Sequence, residues 1–273
     1  MGGEGRRIRE IYQGPKPLYK VYGKYPLLYL NQLPFFSLWN EGEIDEIIFT
    51  VAKWNVSKKL IPLLPSFPSQ LYEFFLSLHE KYDFIEKPVF DWNKVEVKLI
   101  VEEERLGRGG SILKGLKERT IDKNQKYLVQ QPDDLVSFDL KKFLKMKEEE
   151  FAALMFCSTY FQSPFGVGVV KDEKIVRFEE KPKVQLLGLN NERFVLFTGY
   201  SYYKPELFEE LLNQSYTFPF NLENTLIPSL AEKGRVRAIY TKNWFSLNSR
   251  REVKIVESYP EKDLIKILYS SNI

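Results

Sequence analysis

The chain has 273 residues, 44% hydrophobic and 15% aromatic, enough for one large α/β core and too apolar for an intrinsically disordered polypeptide. Lysine and arginine number 40 against 37 aspartates and glutamates, a net charge of +3. That is too small to attract nucleic acid or an anionic membrane by field strength, so neither partner is expected. The single cysteine, Cys157, excludes an intrachain disulfide and reads as a buried small hydrophobe suited to a reducing compartment. The single histidine, His79, falls in a stretch of helical spacing and reads as a helix-surface residue. No apolar run of about 18 residues and no secretory signal pattern is seen, so the expected location is cytoplasmic.

In chain order, Glu46 to Ala52 and Val95 to Val101 read as strands, with a helix over Gln70 to Tyr82 between them, a βαβ rhythm. Gly109 to Glu118 reads as a helix and Lys126 to Gln131 as a strand. Phe138 to Glu150 reads as a charged helix burying Leu140, Phe143 and Leu144. Strand signals then crowd together at Phe151 to Tyr160, Val167 to Lys171, Ile175 to Glu179 and Phe194 to Tyr203, as in an antiparallel portion added to a parallel sheet. Leu222 to Lys233 reads as a helix closed by Gly234, and Arg235 to Tyr240 as a returning strand. No repeat or linker divides the chain.

Several segments carry the chemistry. Met1 to Arg9 packs three glycines and three arginines into nine residues, followed by Gly14-Pro-Lys-Pro-Leu18. Closely spaced glycines let successive N–H groups approach an anion, and the cations add charge-assisted donors, as a triphosphate requires. The same residues also fit a basic N-terminus without fixed structure. Leu106-Gly-Arg-Gly-Gly-Ser111 is a glycine-rich turn ahead of a helix. Tyr127-Leu-Val-Gln-Gln-Pro-Asp-Asp134 ends a strand in two carboxylates, where α/β sheets bind ligands; a turn and helix cap fit it too. Arg177-Phe-Glu-Glu-Lys-Pro182 fits either a ligand-facing or a solvated hairpin end. Asn248, in Trp244-Phe-Ser-Leu-Asn-Ser-Arg250, is either a polar ligand or the N-cap of a helix beginning at Arg250.

Gly2-Gly-Glu-Gly-Arg-Arg-Ile-Arg9, Pro15-Lys-Pro-Leu18 and Gly23-Lys24 resemble, in sequence and spacing, the signature Gly-Gly-x-Gly-Thr-Arg-Leu, Pro-Lys-Pro-Leu, Gly-Lys-Pro of sugar-1-phosphate nucleotidyltransferases. The later segments resemble the family's Leu-Gly-Thr-Ala-Gly-Ala, Leu-Val-Leu-x-Gly-Asp, Phe-x-Glu-Lys-Pro and Asn-(Ala/Thr)-Gly motifs, in family order. The resemblance implies a Rossmann-like, GT-A-like fold: three layers, α/β/α, with a mixed, mostly parallel central sheet and a small antiparallel sugar-binding portion. Residues 1–257 would form one domain, a nucleotide-binding half to about residue 140 and a sugar-phosphate half over 141–257, with a 258–273 tail.

The implied reaction joins a nucleoside triphosphate to a sugar 1-phosphate with Mg2+, releasing pyrophosphate; homo-oligomerisation is left open. By residue, the resemblance gives Arg7 and Lys16 as catalytic cations on the phosphates. Gly2, Gly3, Gly5, Leu106, Gly107 and Gly110 would bind the nucleotide, and Gly166, Glu180, Lys181 and Thr198 the sugar phosphate. Asp133 would be a magnesium ligand. Leu247-Asn-Ser-Arg250 resembles the Val-Asn-(Asn/Thr)-Arg of N-acetylglucosamine-1-phosphate uridylyltransferases, which makes Asn248 the second ligand.

The chain departs from the pattern at Arg6, Pro132 and Phe197, and at Ser246, where many members carry a metal-binding aspartate. The family's first β-strand, ahead of the first glycine, is not in this sequence. Glu103 and Glu104 stand where many members that use uridine or thymidine triphosphate carry a glutamine, so the base is open. These departures also suit a catalytically impaired nucleotide- or sugar-phosphate-binding regulatory subunit, and a non-sugar phosphate acceptor would use the same fold.

Overall fold

The computed structural model describes residues 11–53, 56–163, 167–171, 173–179, 183–186, 192 and 194–272. The segment with Gly2, Gly3, Gly5 and Arg7 lies outside the described residues, as do Gly166, Glu180 and Lys181.

A short turn at Lys16–Leu18 leads into a small ribbon, β1 (Lys20–Val21) and β2 (Tyr25–Pro26), whose turn uses positive φ at Tyr22 and Gly23. Two short helices follow, α1 (Leu27–Leu30) and α2 (Phe36–Asn40), which bury Leu27, Leu30, Phe36 and Trp39. The expected βαβ unit is present. β3 (Glu46–Ala52) and β4 (Glu96–Glu102) pair in parallel from Glu46↔Glu96 to Ala52↔Glu102, and α3 (Phe67–Lys81) joins them. In α3, Leu71, Phe74, Phe75 and Leu78 recur at helical spacing and face the core. His79 is half-buried near its end, with Nδ1 2.7 Å from the Ile85 carbonyl oxygen.

The glycine-rich segment differs from its expected form. The helix α4 (Gly107–Lys117) begins two residues before the expected Gly109 and takes the glycine-rich turn in as its first turn, with Leu106 at the N-cap position. A second difference follows β5 (Tyr127–Val129). Phe138 does not begin a helix: it ends a fully buried strand, β6 (Asp134–Phe138). The Asp139 side chain accepts from Lys142 N–H at 2.8 Å, and this cap starts α5 (Leu140–Met146) one residue beyond the strand.

The crowded strand signals give β7 (Ala153–Ser158), β8 (Tyr160–Gln162), β9 (Val167–Lys171), β10 (Lys174–Glu179), β11 (Lys183–Gln185) and β12 (Leu196–Tyr203). β9 pairs with β10 and β8 with β11, both antiparallel. Helix α6 (Pro205–Leu212) opens on a proline, and α7 (Leu226–Glu232) ends as read. Gly234 at φ 68 donates to Ala231 and Arg235 to Leu230, each at 2.9 Å, a Schellman closure. The returning strand, β13 (Val236–Ser246), runs six residues beyond the expected end at Tyr240. Its first half runs parallel to β7 and its second half antiparallel to β6. Helices α8 (Arg250–Glu257) and α9 (Glu261–Tyr269) close the chain. The stretch read as a tail thereby packs Leu264, Ile265, Leu268 and Tyr269 into the core.

A mixed sheet in the order β5-β12-β7-β13-β6 forms the centre, beside the β3-β4 pair. One apolar cluster covers it with Leu38, Trp39, Phe138, Phe143 and Phe156, and a second with Ile112, Leu116, Leu207 and Phe208. Helices on both faces make the layered α/β/α arrangement. Among the described residues no helix is long and apolar enough to cross a membrane.

Candidate active site

Strand direction gathers the site on one edge. β5 and β7 are both antiparallel to β12, so they run the same way, and the first half of β13 runs parallel to β7. The β3–β4 pair lies beside β5, where Tyr127 donates its hydroxyl to Glu46 at 3.4 Å. The segments that follow β5 and β13 meet at one edge of the sheet, where Leu247 N–H reaches the Asp133 carbonyl, the kind of place where open α/β folds bind ligands.

At that edge Lys16, Asp133 and Asn248 converge. Lys16 Nζ donates to Asp133 Oδ2 at 2.7 Å and to Asn248 Oδ1 at 2.6 Å. Backbone pairing fixes the two acceptors: Ser246 lies opposite Asp134 in the β13–β6 ladder, and Leu247 N–H donates to the Asp133 carbonyl at 3.1 Å. Asn248 is not the helix cap. Ser249 fills that position, its hydroxyl accepting from Glu252 N–H, while Glu252 accepts from Asn248 N–H at 2.8 Å. The asparagine side chain is thus free to turn inward. Its amide nitrogen donates to the Ser246 hydroxyl, which points the carbonyl oxygen at Lys16.

Asp134 lies beneath this cluster and was not assigned a role from sequence. It is buried and accepts from Trp244 Nε1 at 3.0 Å, while its backbone carbonyl accepts from the hydroxyl of the fully buried Tyr200 at 2.9 Å. Burial, with the Asp133 charge adding, pushes its carboxyl up to about 7 against the hydrogen bonds from Trp244 and Ser246 and the positive charge of Lys16. Ser246 is the other residue the motifs undervalued. Its signal was the spacing Ser246-Leu247-Asn248: alternate residues of an extended segment point the same way.

The glycines of α4 serve packing. Gly107 has φ 76, and a Cβ there would stand 2.3 Å from the Phe220 carbonyl oxygen. Arg108 N–H donates to Asn221 Oδ1 at 2.9 Å, and the Gly109 and Gly110 amides point to the Phe220 carbonyl. The Arg108, Gly109 and Gly110 amides are therefore bonded within the fold. Leu106 instead lines a cavity of about 360 Å3 with Glu103, Glu104, Leu113 and Phe218. Thr198 is buried and donates to the Phe156 carbonyl at 2.9 Å. Beside it Gly199, at φ 86, lets β12 pass close to Gln131, two residues before Asp133.

The donor chemistry at Lys16 fits a magnesium ion. A carboxylate and an amide carbonyl present hard oxygens on one spot, already facing a cation, and magnesium commonly takes one or two protein oxygens plus phosphate and water.

Comparison with known proteins gives the family. The nucleotidyl transferase family pattern matches residues 1–246. A D-glycero-alpha-D-manno-heptose 1-phosphate guanylyltransferase of Campylobacter jejuni is 26% identical over 221 residues, 79% of this chain and 83% of its own length. A candidate glucose-1-phosphate thymidylyltransferase of Bacillus anthracis superposes with a TM-score of 0.56 at 16% identity, over 97% of this chain and 96% of that one. The inositol-1-phosphate CTP transferase of T. maritima gives 0.53 at 18%, over 98% and 93%. With the family pattern spanning most of its length, the chain belongs to the nucleotidyl transferase family.

Proposed function

We propose that this protein transfers a nucleoside monophosphate from a nucleoside triphosphate to a sugar 1-phosphate, releasing pyrophosphate and forming a nucleoside diphosphate sugar. The convergence of Lys16, Asp133 and Asn248 at the sheet edge carries the reading. An oxygen of the sugar 1-phosphate attacks the α-phosphorus, and the bond from that phosphorus to the bridging oxygen of pyrophosphate breaks. No protein nucleophile is required, so catalysis rests on positioning and charge neutralisation.

Asp133 and Asn248 would hold Mg2+, which when bound screens the phosphate charge. Lys16 reaches the same spot on a flexible four-carbon stem and can turn from Asp133 to a phosphate oxygen as it arrives. Arg7 follows Gly2, Gly3 and Gly5 in the segment leading to Lys16, and its reading is a counter-charge to the departing pyrophosphate. Glu180 and Lys181, close in sequence to the β9–β10 and β8–β11 ribbons, are read as contacts to the sugar hydroxyls and phosphate, with Gly166 and Thr198 in the surrounding wall.

Guanine is the base we favour. Glu103 and Glu104 follow β4 beside the Leu106 cavity, and carboxylates accept only, so they suit a base edge that presents donors. Guanine offers its N2 amino group, and the Campylobacter relative is a guanylyltransferase. The experiment is a pyrophosphate-release screen of five nucleoside triphosphates against heptose, hexose and inositol 1-phosphates with magnesium. Turnover with GTP and a sugar 1-phosphate is expected. Binding without turnover for every pair would make the protein a regulatory subunit and end this proposal.

A further inference from the structure

The turn that carries Lys16 is too short to hold itself in place. It spans Lys16–Leu18 and closes with Tyr19 N–H on the Lys16 carbonyl at 2.9 Å, while Pro15 and Pro17, on either side of the lysine, have no N–H to bond. Yet the Lys16 ammonium arrives 2.7 Å from Asp133 and 2.6 Å from Asn248, so its backbone must be fixed from outside the turn.

The residues just after the turn supply that anchor. Tyr19 donates its hydroxyl to Glu257 Oε1 at 3.0 Å, and Tyr22 N–H donates to the same oxygen at 3.1 Å. The Tyr22 hydroxyl reaches the carbonyls of Val256 at 3.1 Å and Tyr259 at 2.8 Å. Tyr22 has φ 54, a left-handed backbone that is costly for a residue with a Cβ and persists where surrounding bonds over-determine it. These bonds all go to the end of α8 and the residues beside it.

The other end of α8 carries Asn248. Only the Ser249 cap separates Asn248 from Arg250, the first residue of the helix, and Val253 and Val256 bury one side of it. Eight helical residues form a spacer of about 12 Å. One helix thus joins Asn248 at its start to the Lys16 segment at its finish. We propose that Glu257 is a positioning residue for Lys16: through the Tyr19 hydroxyl and the Tyr22 amide it holds the backbone of the Lys16 turn in fixed relation to Asn248. The inference deepens the proposed function and rests on its reading of Lys16 as a phosphate cation. A lysine that turns from Asp133 to an arriving phosphate delivers its charge accurately when the stem moves and the backbone stays.

The test follows Lys16 itself, whose side chain is 11% exposed. Reductive methylation of the folded chain with formaldehyde and a mild hydride, read by peptide mass spectrometry, reports how readily the Lys16 ammonium leaves Asp133. Glu257→Ala is expected to raise methylation at Lys16 about 10-fold. It should leave unchanged Lys204, a lysine buried against the Phe151 ring and the Glu149 carbonyl. Glu257→Gln keeps an accepting oxygen and should return Lys16 to the parent rate. In pyrophosphate release Glu257→Ala should lower kcat on the order of 10-fold, and adding it to Lys16→Ala should cost nothing further, because it acts through the lysine.

No change at Lys16, an equal rise at Lys204, or a glutamine variant that behaves like the alanine one would each overturn the proposal. Should Glu257→Ala not fold, Tyr19→Phe removes one of the two bonds and gives the same readout: a rise at Lys16 alone supports the positioning role, and no rise overturns it. Methylation that follows the expected pattern without turnover of any substrate pair would refute the proposed reaction and leave the positioning of Lys16 standing.

Discussion

Lys16 Nζ stands 2.7 Å from Asp133 Oδ2, across 117 positions of sequence, with both side chains largely shielded from solvent. Pairing holds the cation beside the carboxylate at the point where Asn248 also arrives. Lys16→Ala and Asp133→Ala should each lower the rate of pyrophosphate release on the order of 10²- to 10³-fold. Circular dichroism should show the fold retained. Full activity in either variant would remove that residue from the catalytic machinery.

Ser246 acts through Asn248. Its hydroxyl takes the amide hydrogen that keeps the Asn248 carbonyl facing Lys16. Ser246→Ala should leave kcat at saturating magnesium close to the parent value. The magnesium concentration for half-maximal rate should rise on the order of 10-fold, because the amide proposed to hold the ion is no longer oriented. A magnesium titration of pyrophosphate release reads this, and Ser246→Thr, which keeps the hydroxyl, should restore the parent curve. A loss of kcat with an unchanged magnesium requirement would contradict the positioning role.

Gly107 and Gly234 separate two costs of adding a methyl group. Both have positive φ, but a Cβ at Gly234 meets nothing within 4 Å, while one at Gly107 meets the Phe220 backbone at 2.3 Å. Gly234→Ala should cost about 1 kcal/mol from backbone conformation alone. Gly107→Ala should cost about 2 to 3 kcal/mol, since the carbonyl it strikes must move. Urea unfolding of the two variants gives the comparison, and equal losses would show that the Phe220 contact yields freely.

Glu261 fixes the C-terminal helix to the start of the chain. It accepts from Lys24 and Tyr82, each at 2.8 Å, from Tyr25 at 2.6 Å, and pairs with Lys81. Burial alone would raise its carboxyl, but the donors Lys24, Lys81, Tyr25 and Tyr82 together outweigh burial and hold it well below the usual range. The unfolded chain therefore takes up the proton first, so this stabilisation is present above about pH 4.5 and is lost as pH falls. Glu261→Gln should cost about 1 kcal/mol at pH 7, since the lysines are half-exposed. The difference from the parent should shrink as pH is lowered through 4, measured by urea unfolding at three pH values. A difference independent of pH would rule out the charge as its source.

Local pattern in the sequence determined the parallel β3–β4 unit, helix α3 and the glycine closing α7, because apolar periodicity and turn chemistry act over a few neighbours. Motif order brought Lys16, Asp133 and Asn248 onto the same list, but not into contact. Only the tertiary structure decided that Asn248 turns inward and Ser249 caps α8, since both residues suit an N-cap and the choice rests on β13 pairing with β6. It also decided that Phe138 ends a buried strand, because Leu135, Val136 and Phe138 gain more from the core than the local helical pattern offers. The sequence read a glycine-rich turn from Leu106 and a helix from Gly109. The fold begins the helix at Gly107, because glycine alone admits the Phe220 segment at that distance, and sequence spacing carries no information about what approaches from so far along the chain.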